Sequence, residues 1–225
     1  MIKNKNKDNL PKYPVLATKC CTECKRERPI WKNKVLKGVK HLFCKPCWNK
    51  FDASIKKEKR EKVREKKAKT ATLIECKKLI QKLAKLCNEP ICCTSGHQFT
   101  EQDIRSGNCQ GGHWRAAGSH PSTALYILNI HPQSYVENCR KHGNEYEYSR
   151  FMDAKYGEET KEMIYRMSHI SYKWSKIELS EFKQQCLFFL KKVEDGVDKT
   201  LIKKQFLDWQ HSTDWYKFML HKLNE

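Results

Sequence analysis

Two Cys-x-x-Cys pairs constrain this chain of 225 residues more than any other feature of its sequence. Cys21 and Cys24 form the first pair, Cys44 and Cys47 form the second, and nineteen residues lie between the pairs. Such spacing is typical of structural zinc sites, where four thiolates complete a closed tetrahedral shell. The intervening segment holds too few apolar side chains to fold without a metal. The sequence therefore predicts a four-cysteine unit with Zn²⁺ over residues 18–52, and the alternative is four unrelated buried cysteines.

Positive charge dominates the composition. The chain has 45 Lys and Arg against 26 Asp and Glu, which gives a formal net charge of +19. This excess indicates a polyanionic partner, usually nucleic acid, because release of counterions from phosphates drives association. The alternative is charge that serves solubility alone. A mean hydropathy of −0.83 indicates that part of the chain is a solvated arm or linker rather than core.

The sequence also indicates the cellular compartment of the protein. No apolar run approaches the roughly 18 residues that span a bilayer, and the basic N-terminus lacks the apolar segment of a secretory signal. Closely spaced cysteines in a reducing compartment bind metal more often than they form disulfides. We therefore expect a cytoplasmic protein with no membrane partner.

Composition divides the rest of the chain into segments. The composition of residues 1–17 predicts a flexible tail. The pattern of residues 53–88 predicts a long helical linker that is basic in its first half and amphipathic in its second. Lys59, Arg60 and Arg64 are expected to contact a phosphate backbone, and a charged spacer without a ligand is the alternative. Residues 91–144 predict loops and short strands before helical patterns return. The predicted class is α+β, mostly helical.

His113, Asn129 and Asn138 outline a nuclease pattern in the central stretch. In ββα-metal (HNH-type) sites a hairpin carries a general base and the following helix carries a metal ligand. The cation screens the phosphodiester charge, while a neutral imidazole held in one tautomer removes a proton from water. The alternative is that these are turn-forming residues of a polar loop.

The same stretch resembles the NinG (Rap) family of recombination nucleases from lambda-like phages. That family has a Gly-His-aromatic-Arg opening, a proline, an Asn-Ile-His-x-Gln segment, an Asn and a Gly-Asn pair. The matching residues here, in register without a gap, are Gly112-His113-Trp114-Arg115, Pro121, Asn129-Ile130-His131-Pro132-Gln133, Asn138 and Gly143-Asn144. The order of four-cysteine unit, Lys- and Glu-rich linker, motif and helices also matches.

The resemblance implies a phage-encoded endonuclease that cuts branched DNA, such as Holliday junctions and D-loops, in the host cytoplasm. On this basis His113 is the general base, Asn129 orients its loop, and Asn138 is a ligand of a catalytic Mg²⁺ or Mn²⁺. Arg115 is expected to contact a phosphate. Apart from the resemblance, Arg140 is expected to follow its helix onto a phosphate, and a solvated side chain is the alternative. Residues 89–196 are expected to form the HNH-like nuclease core with helices. Residues 197–225 are expected to be a C-terminal helical extension, which is the suggested interface of a homodimer.

This chain departs from the family at its metal positions. Gln110 stands where lambda-like members have an acidic residue, and Asp103 and Glu137 are the candidate substitutes. The family also builds a second zinc site, whose positions hold Cys92, Ser95, Ser134 and Glu137 here. The candidate ligands of a rebuilt site are Cys93, Cys109, Cys139, His97 and His142, and a core held by packing alone is the alternative. These departures favour a second functional hypothesis, a zinc-containing protein that binds DNA junctions or single strands without cutting them.

Overall fold

The computed structural model describes residues 18–36 and 39–225, so the tail expected over residues 1–17 lies outside the described part. The predicted class is confirmed, because the described residues form an α+β structure that is mostly helical. Contacts divide the chain into two compact units, one ending at Lys67 and the other beginning at Ala68.

The first unit contains an antiparallel sheet of three strands, β1 (Thr18–Cys20), β2 (Glu27–Leu36) and β3 (Val39–Cys44), in that order. Strand β2 pairs with both neighbours. Phe43 is buried against the rings of Trp48 and Phe51 from the helix that follows, at centroid distances of 5.6 and 5.0 Å. These rings form the apolar centre of a unit that is otherwise rich in charge.

Helix α1 runs without a break from Lys45 to Leu86. It starts well before the predicted linker at residue 53, and its first turn therefore includes Cys47. Pro46 is compatible with this start, because a proline in the first turn removes no intrahelical hydrogen bond. The part within the second unit buries an apolar stripe that includes Cys76, Ile80 and Leu83, as the amphipathic pattern in the second half of residues 53–88 predicted.

The second unit combines one short hairpin with helices. Its α-helices and strands after α1 are α2 (Glu101–Ser106), β4 (Cys109–His113), β5 (Ile130–Ser134), α3 (Glu145–His169), α4 (Lys176–Glu194), α5 (Lys199–Ser212) and α6 (Asp214–Asn224), with a 3₁₀ turn over Ile127–Asn129 and a π-helical turn over Val136–Arg140. Strands β4 and β5 pair antiparallel from Cys109 opposite Ser134 to His113 opposite Ile130. We call this pair the hairpin and residues 114–129 the hairpin loop. Gly157 interrupts α3 with a φ of 79°, a conformation that glycine adopts without a Cβ clash.

The C-terminal helices complete the core of the second unit. Ile202, Phe206 and Met219 have no exposed surface and belong to one cluster with residues of α1, α3 and α4. Gln210 of α5 donates to the Leu125 carbonyl at 2.8 Å and accepts from the Ile127 amide at 3.1 Å. Residues 197–225 are therefore integral to the unit rather than an extension, because they bury apolar surface and satisfy the backbone of the hairpin loop.

Candidate functional site

The four cysteines of the predicted zinc unit converge within the first unit. Cys21 and Cys24 lie in the turn after β1, Cys44 ends β3, and Cys47 lies in the first turn of α1. All four sulfur atoms lie within 4.8 Å of one another. We call these residues the four-cysteine cluster.

The geometry of the four-cysteine cluster fits zinc. A tetrahedral site with Zn–S bonds of about 2.3 Å has sulfur–sulfur edges of about 3.8 Å, and the Cys24 and Cys44 sulfurs lie 3.9 Å apart. Burial raises the pKa of Cys21, but the backbone N–H groups of Cys24, Cys44 and Glu23 outweigh that effect and bring the pKa to about 6. The thiolate, which is the form that binds metal, is thereby favoured. The cluster is consistent with the predicted structural zinc.

In the second unit, helix α1 lies along the outer edge of β4 in matched register. Lys85 Nζ donates to the Cys109 carbonyl at 3.0 Å, and Gln81 Nε2 donates to the Gly111 carbonyl at 3.0 Å. Four residues of helix rise about 6 Å, which is close to the roughly 6.6 Å of two strand residues. The match brings the backbones so close that a Cβ on Gly111 would lie 2.8 Å from the Gln81 Cβ. The next position along this register, His113, faces the charge of Lys77.

His113 is held as a neutral imidazole. Its Nε2 lies 3.0 Å from the Ala124 carbonyl, and a carbonyl only accepts, so Nε2 carries the proton and Nδ1 keeps its lone pair. Within the described residues, Nδ1 has no hydrogen-bond partner. Burial lowers the pKa of His113 to about 4, with a further contribution from the Lys77 charge, although the Ala124 hydrogen bond opposes the shift. The side chain is therefore an uncharged acceptor at neutral pH.

Asn129 joins the two ends of the hairpin loop through side-chain hydrogen bonds. It is fully buried. Its Oδ1 accepts from the Arg115 amide at 2.8 Å, and its Nδ2 donates to the carbonyls of Arg115 at 3.0 Å and Thr123 at 3.1 Å. These bonds fix the backbone that directly follows His113.

Asn138 lies beside Gln110 rather than beside His113. Its Nδ2 donates to Gln110 Oε1 at 2.7 Å. The pair lines a pocket of about 290 Å³ together with side chains from one face of α1. We call the site formed by Lys78, Gln81, Lys82, Lys85, Gln110 and Asn138 the lysine pocket. His113 is not among the residues that line it.

The lysine pocket does not fit the catalytic Mg²⁺ or Mn²⁺ that the resemblance implies. Hard divalent cations prefer carboxylate oxygens, whereas Gln110 and Asn138 are neutral amides bonded to one another. The candidate substitutes are engaged elsewhere: Asp103 accepts from Thr100 and Asn108, and Glu137 accepts from Lys141 and Asn144. Among the described residues, the four-cysteine cluster is the single group of three or more His, Cys, Asp or Glu residues that could hold a metal.

The positions of the family's second zinc site still lie together without forming a metal site. Cys92 Sγ accepts from the Ser134 amide at 3.3 Å, and Ser134 Oγ accepts from the Glu137 amide at 3.3 Å. Cys109 is buried with Cys92 and Phe99 in a separate small apolar cluster, and Cys139 is exposed. Packing and hydrogen bonds therefore hold this corner of the unit, and the rebuilt zinc site is not formed in the part of the chain that the structure describes.

The predicted substrate-binding residues differ in availability. The Arg115 guanidinium pairs with Glu145 and lies 5.0 Å from the Tyr165 ring centroid, so a phosphate would have to compete with that carboxylate. Arg140 is exposed and lies 5.9 Å from the Tyr135 ring centroid. Lys59, Arg60 and Arg64 are exposed on one face of α1 with Lys67, and we call these four residues the basic face.

The lysines of the lysine pocket were not predicted from the sequence. Lys78, Lys82 and Lys85 recur at i, i+4 and i+7, on the face of α1 beside its buried stripe. That spacing was the available signal, since residues three and four apart are neighbours on a helix surface.

Comparison with protein-family models, curated proteins and solved structures finds no match to this chain. Within residues 18–36 and 39–225, no helix has the length and apolar character required to cross a membrane.

Proposed function

We propose that this chain binds DNA through the phosphate backbone, and that its substrate class is the branched recombination DNA implied by its resemblance to the NinG family. The observation that carries the proposal is the basic face of α1. Its four cations surround Val63, whose side chain is also exposed. Lys59, Arg60 and Arg64 form no ion pair with another described residue, which leaves their charge available to an external anion.

The physical basis is counterion release. Each DNA phosphate that a Lys or Arg neutralises releases condensed cations, so unpaired cations on one helix face bind a phosphate backbone without reading its sequence. The net charge of +19 adds long-range attraction. The zinc expected in the four-cysteine cluster has a structural role here, because it would fix the three-stranded sheet to the first turn of α1.

Fluorescence anisotropy of a labelled four-way junction and a linear duplex of equal length tests this proposal. A variant with Lys59→Gln, Arg60→Gln and Arg64→Gln is compared with a control that removes the same charge from exposed lysines, Lys199→Gln, Lys204→Gln and Lys217→Gln. We expect the first variant to bind the junction at least about tenfold more weakly and the control to change little. Equal losses in the two variants, or no binding by wild type, would overturn the proposal. Equal affinity for duplex and junction would overturn the selection of branched DNA.

A specific observation favours DNA cleavage as a second candidate function. His113 is neutral, has a fixed tautomer and has no partner for Nδ1 among the described residues, which are the properties of a group that can accept a proton from water. Asn129 holds the adjoining backbone in place. No step is assigned to a divalent metal, because the amide pair does not fit one. DNA binding is our first proposal, ahead of DNA cleavage, because His113 does not line the lysine pocket.

Incubation of the junction with wild type, His113→Ala and the exposed control His221→Ala tests this candidate, in Mg²⁺, in Mn²⁺ and in EDTA. Nicking by wild type and His221→Ala, with loss in His113→Ala at unchanged junction affinity, would support cleavage. Intact junction under all three conditions would refute it and leave the binding proposal standing.

A further inference from the structure

The lysine pocket presents hydrogen-bond donors on most of its polar lining. Lysine ammonium groups carry three donors and no acceptor. Lys85 uses one donor on the Cys109 carbonyl at 3.0 Å, and the nearest carboxylate to Lys82 is Glu194 at 3.9 Å. Lys78 has no ion pair with a described residue. Most of the donor capacity of these three side chains is therefore free.

The orientation of Gln110 adds to this donor surplus. Its Oε1 already accepts from Asn138 Nδ2 at 2.7 Å and from the Cys139 thiol at 3.4 Å. The Gln110 amide nitrogen has no partner among the described residues, so its two N–H groups remain available. No Asp or Glu is among the described residues that line the pocket. The pocket thus combines free N–H groups with positive charge that no described lining carboxylate compensates, and Lys82 has an ion pair of 3.9 Å with Glu194 outside the lining.

We propose that the lysine pocket is an oxyanion site that takes one DNA phosphate at the positions where NinG-family proteins hold a divalent cation; this inference rests on the proposed function for the identity of the ligand. Charge decides between the two ligands. A divalent cation would face several ammonium groups with only neutral amide oxygens as ligands, whereas a phosphate would receive charge-assisted hydrogen bonds from the same ammonium groups.

Inorganic pyrophosphate and Mn²⁺ are the two probes, because each reports on one alternative and neither requires DNA binding or cleavage. Calorimetry measures pyrophosphate binding to the full chain, and electron paramagnetic resonance measures bound Mn²⁺. The variants are Lys78→Gln with Lys82→Gln, the control Lys199→Gln with Lys204→Gln, and Gln110→Glu, which returns a carboxylate to the pocket. Circular dichroism confirms that each variant is folded.

We expect wild type and the control to bind pyrophosphate alike, and the Lys78 and Lys82 variant to bind it at least about tenfold more weakly. Gln110→Glu is expected to weaken pyrophosphate binding and to strengthen Mn²⁺ binding. Equal pyrophosphate affinity in wild type and the pocket variant would overturn the inference, as would tighter Mn²⁺ binding by wild type than by Gln110→Glu.

Failure of the inference is distinguishable from failure of the proposed function. Junction binding that depends on the basic face but is unaffected by Lys78→Gln with Lys82→Gln would overturn the pocket assignment and leave the DNA proposal intact. Pyrophosphate binding that the pocket variant loses, in a chain that binds no DNA, would support the anion site and overturn the DNA proposal.

Discussion

Replacement of Asn129 by Ala is the most informative perturbation of the hairpin. The change removes three side-chain hydrogen bonds, of 2.8, 3.0 and 3.1 Å, from a side chain with no exposed surface. A net contribution of about 1 kcal/mol for each bond predicts a loss of about 3 kcal/mol in the free energy of unfolding. The cost arises because the Arg115 amide and carbonyl are left without partners, while the Thr123 carbonyl keeps only its bond from the Tyr126 amide.

Urea denaturation followed by tryptophan fluorescence measures this loss. With an m-value of about 2 kcal/mol/M, the midpoint of the unfolding transition should fall by roughly 1.5 M. The control is Asn224→Ala, whose side chain is exposed near the end of α6, and it should leave the midpoint within about 0.2 M of wild type. A midpoint for Asn129→Ala within that same margin would refute the claim that the Asn129 hydrogen bonds hold the hairpin loop.

Four further predictions test the structure at separate points. Gly111→Ala should destabilise the second unit by about 1–3 kcal/mol through overpacking against α1, whereas Gly118→Ala, with nothing within 4 Å of its Cβ position, should not; denaturant midpoints decide. The pKa of His113 falls to about 4 in the folded chain, so the unfolded chain binds more protons than the folded chain between about pH 6.5 and 4. Wild type should therefore lose stability relative to His113→Gln as pH falls through that window. Parallel pH profiles of the free energy of unfolding in the two proteins would contradict this. A chain that ends at residue 196 should lose cooperative unfolding of the second unit, and sharp amide NMR spectra from it would contradict the role of α5 and α6. Native mass spectrometry should find one zinc per chain at the four-cysteine cluster, and two would show a second site.

Local patterns predicted much of the fold and one of the sites. The four-cysteine cluster was predictable, because ligand spacing and residue type are local properties that zinc binding converts directly into geometry. The buried stripe of α1 followed in the same way from helical periodicity. In each case the determining contacts lie close together in sequence.

The features that could not be predicted from the sequence depend on long-range contacts. Gln210 is hydrogen-bonded to the Leu125 carbonyl and the Ile127 amide, which lie 85 and 83 positions earlier in the chain, and no local pattern could predict these bonds. Arg115 was expected to meet a phosphate, but Glu145, thirty positions away, pairs with it. The lysine pocket is likewise made by α1 and the hairpin together, so its lysines could not be recognised before their register against β4 was known.

The salt dependence of junction affinity tests the central claim most directly. If the chain binds the DNA backbone through the basic face, log K should fall linearly with log salt concentration at about −0.9 per phosphate contact. The variant that removes Lys59, Arg60 and Arg64 should then give a slope shallower by roughly 2.7, since three contacts are lost. A wild-type slope near zero, or an unchanged slope in that variant, would contradict the account.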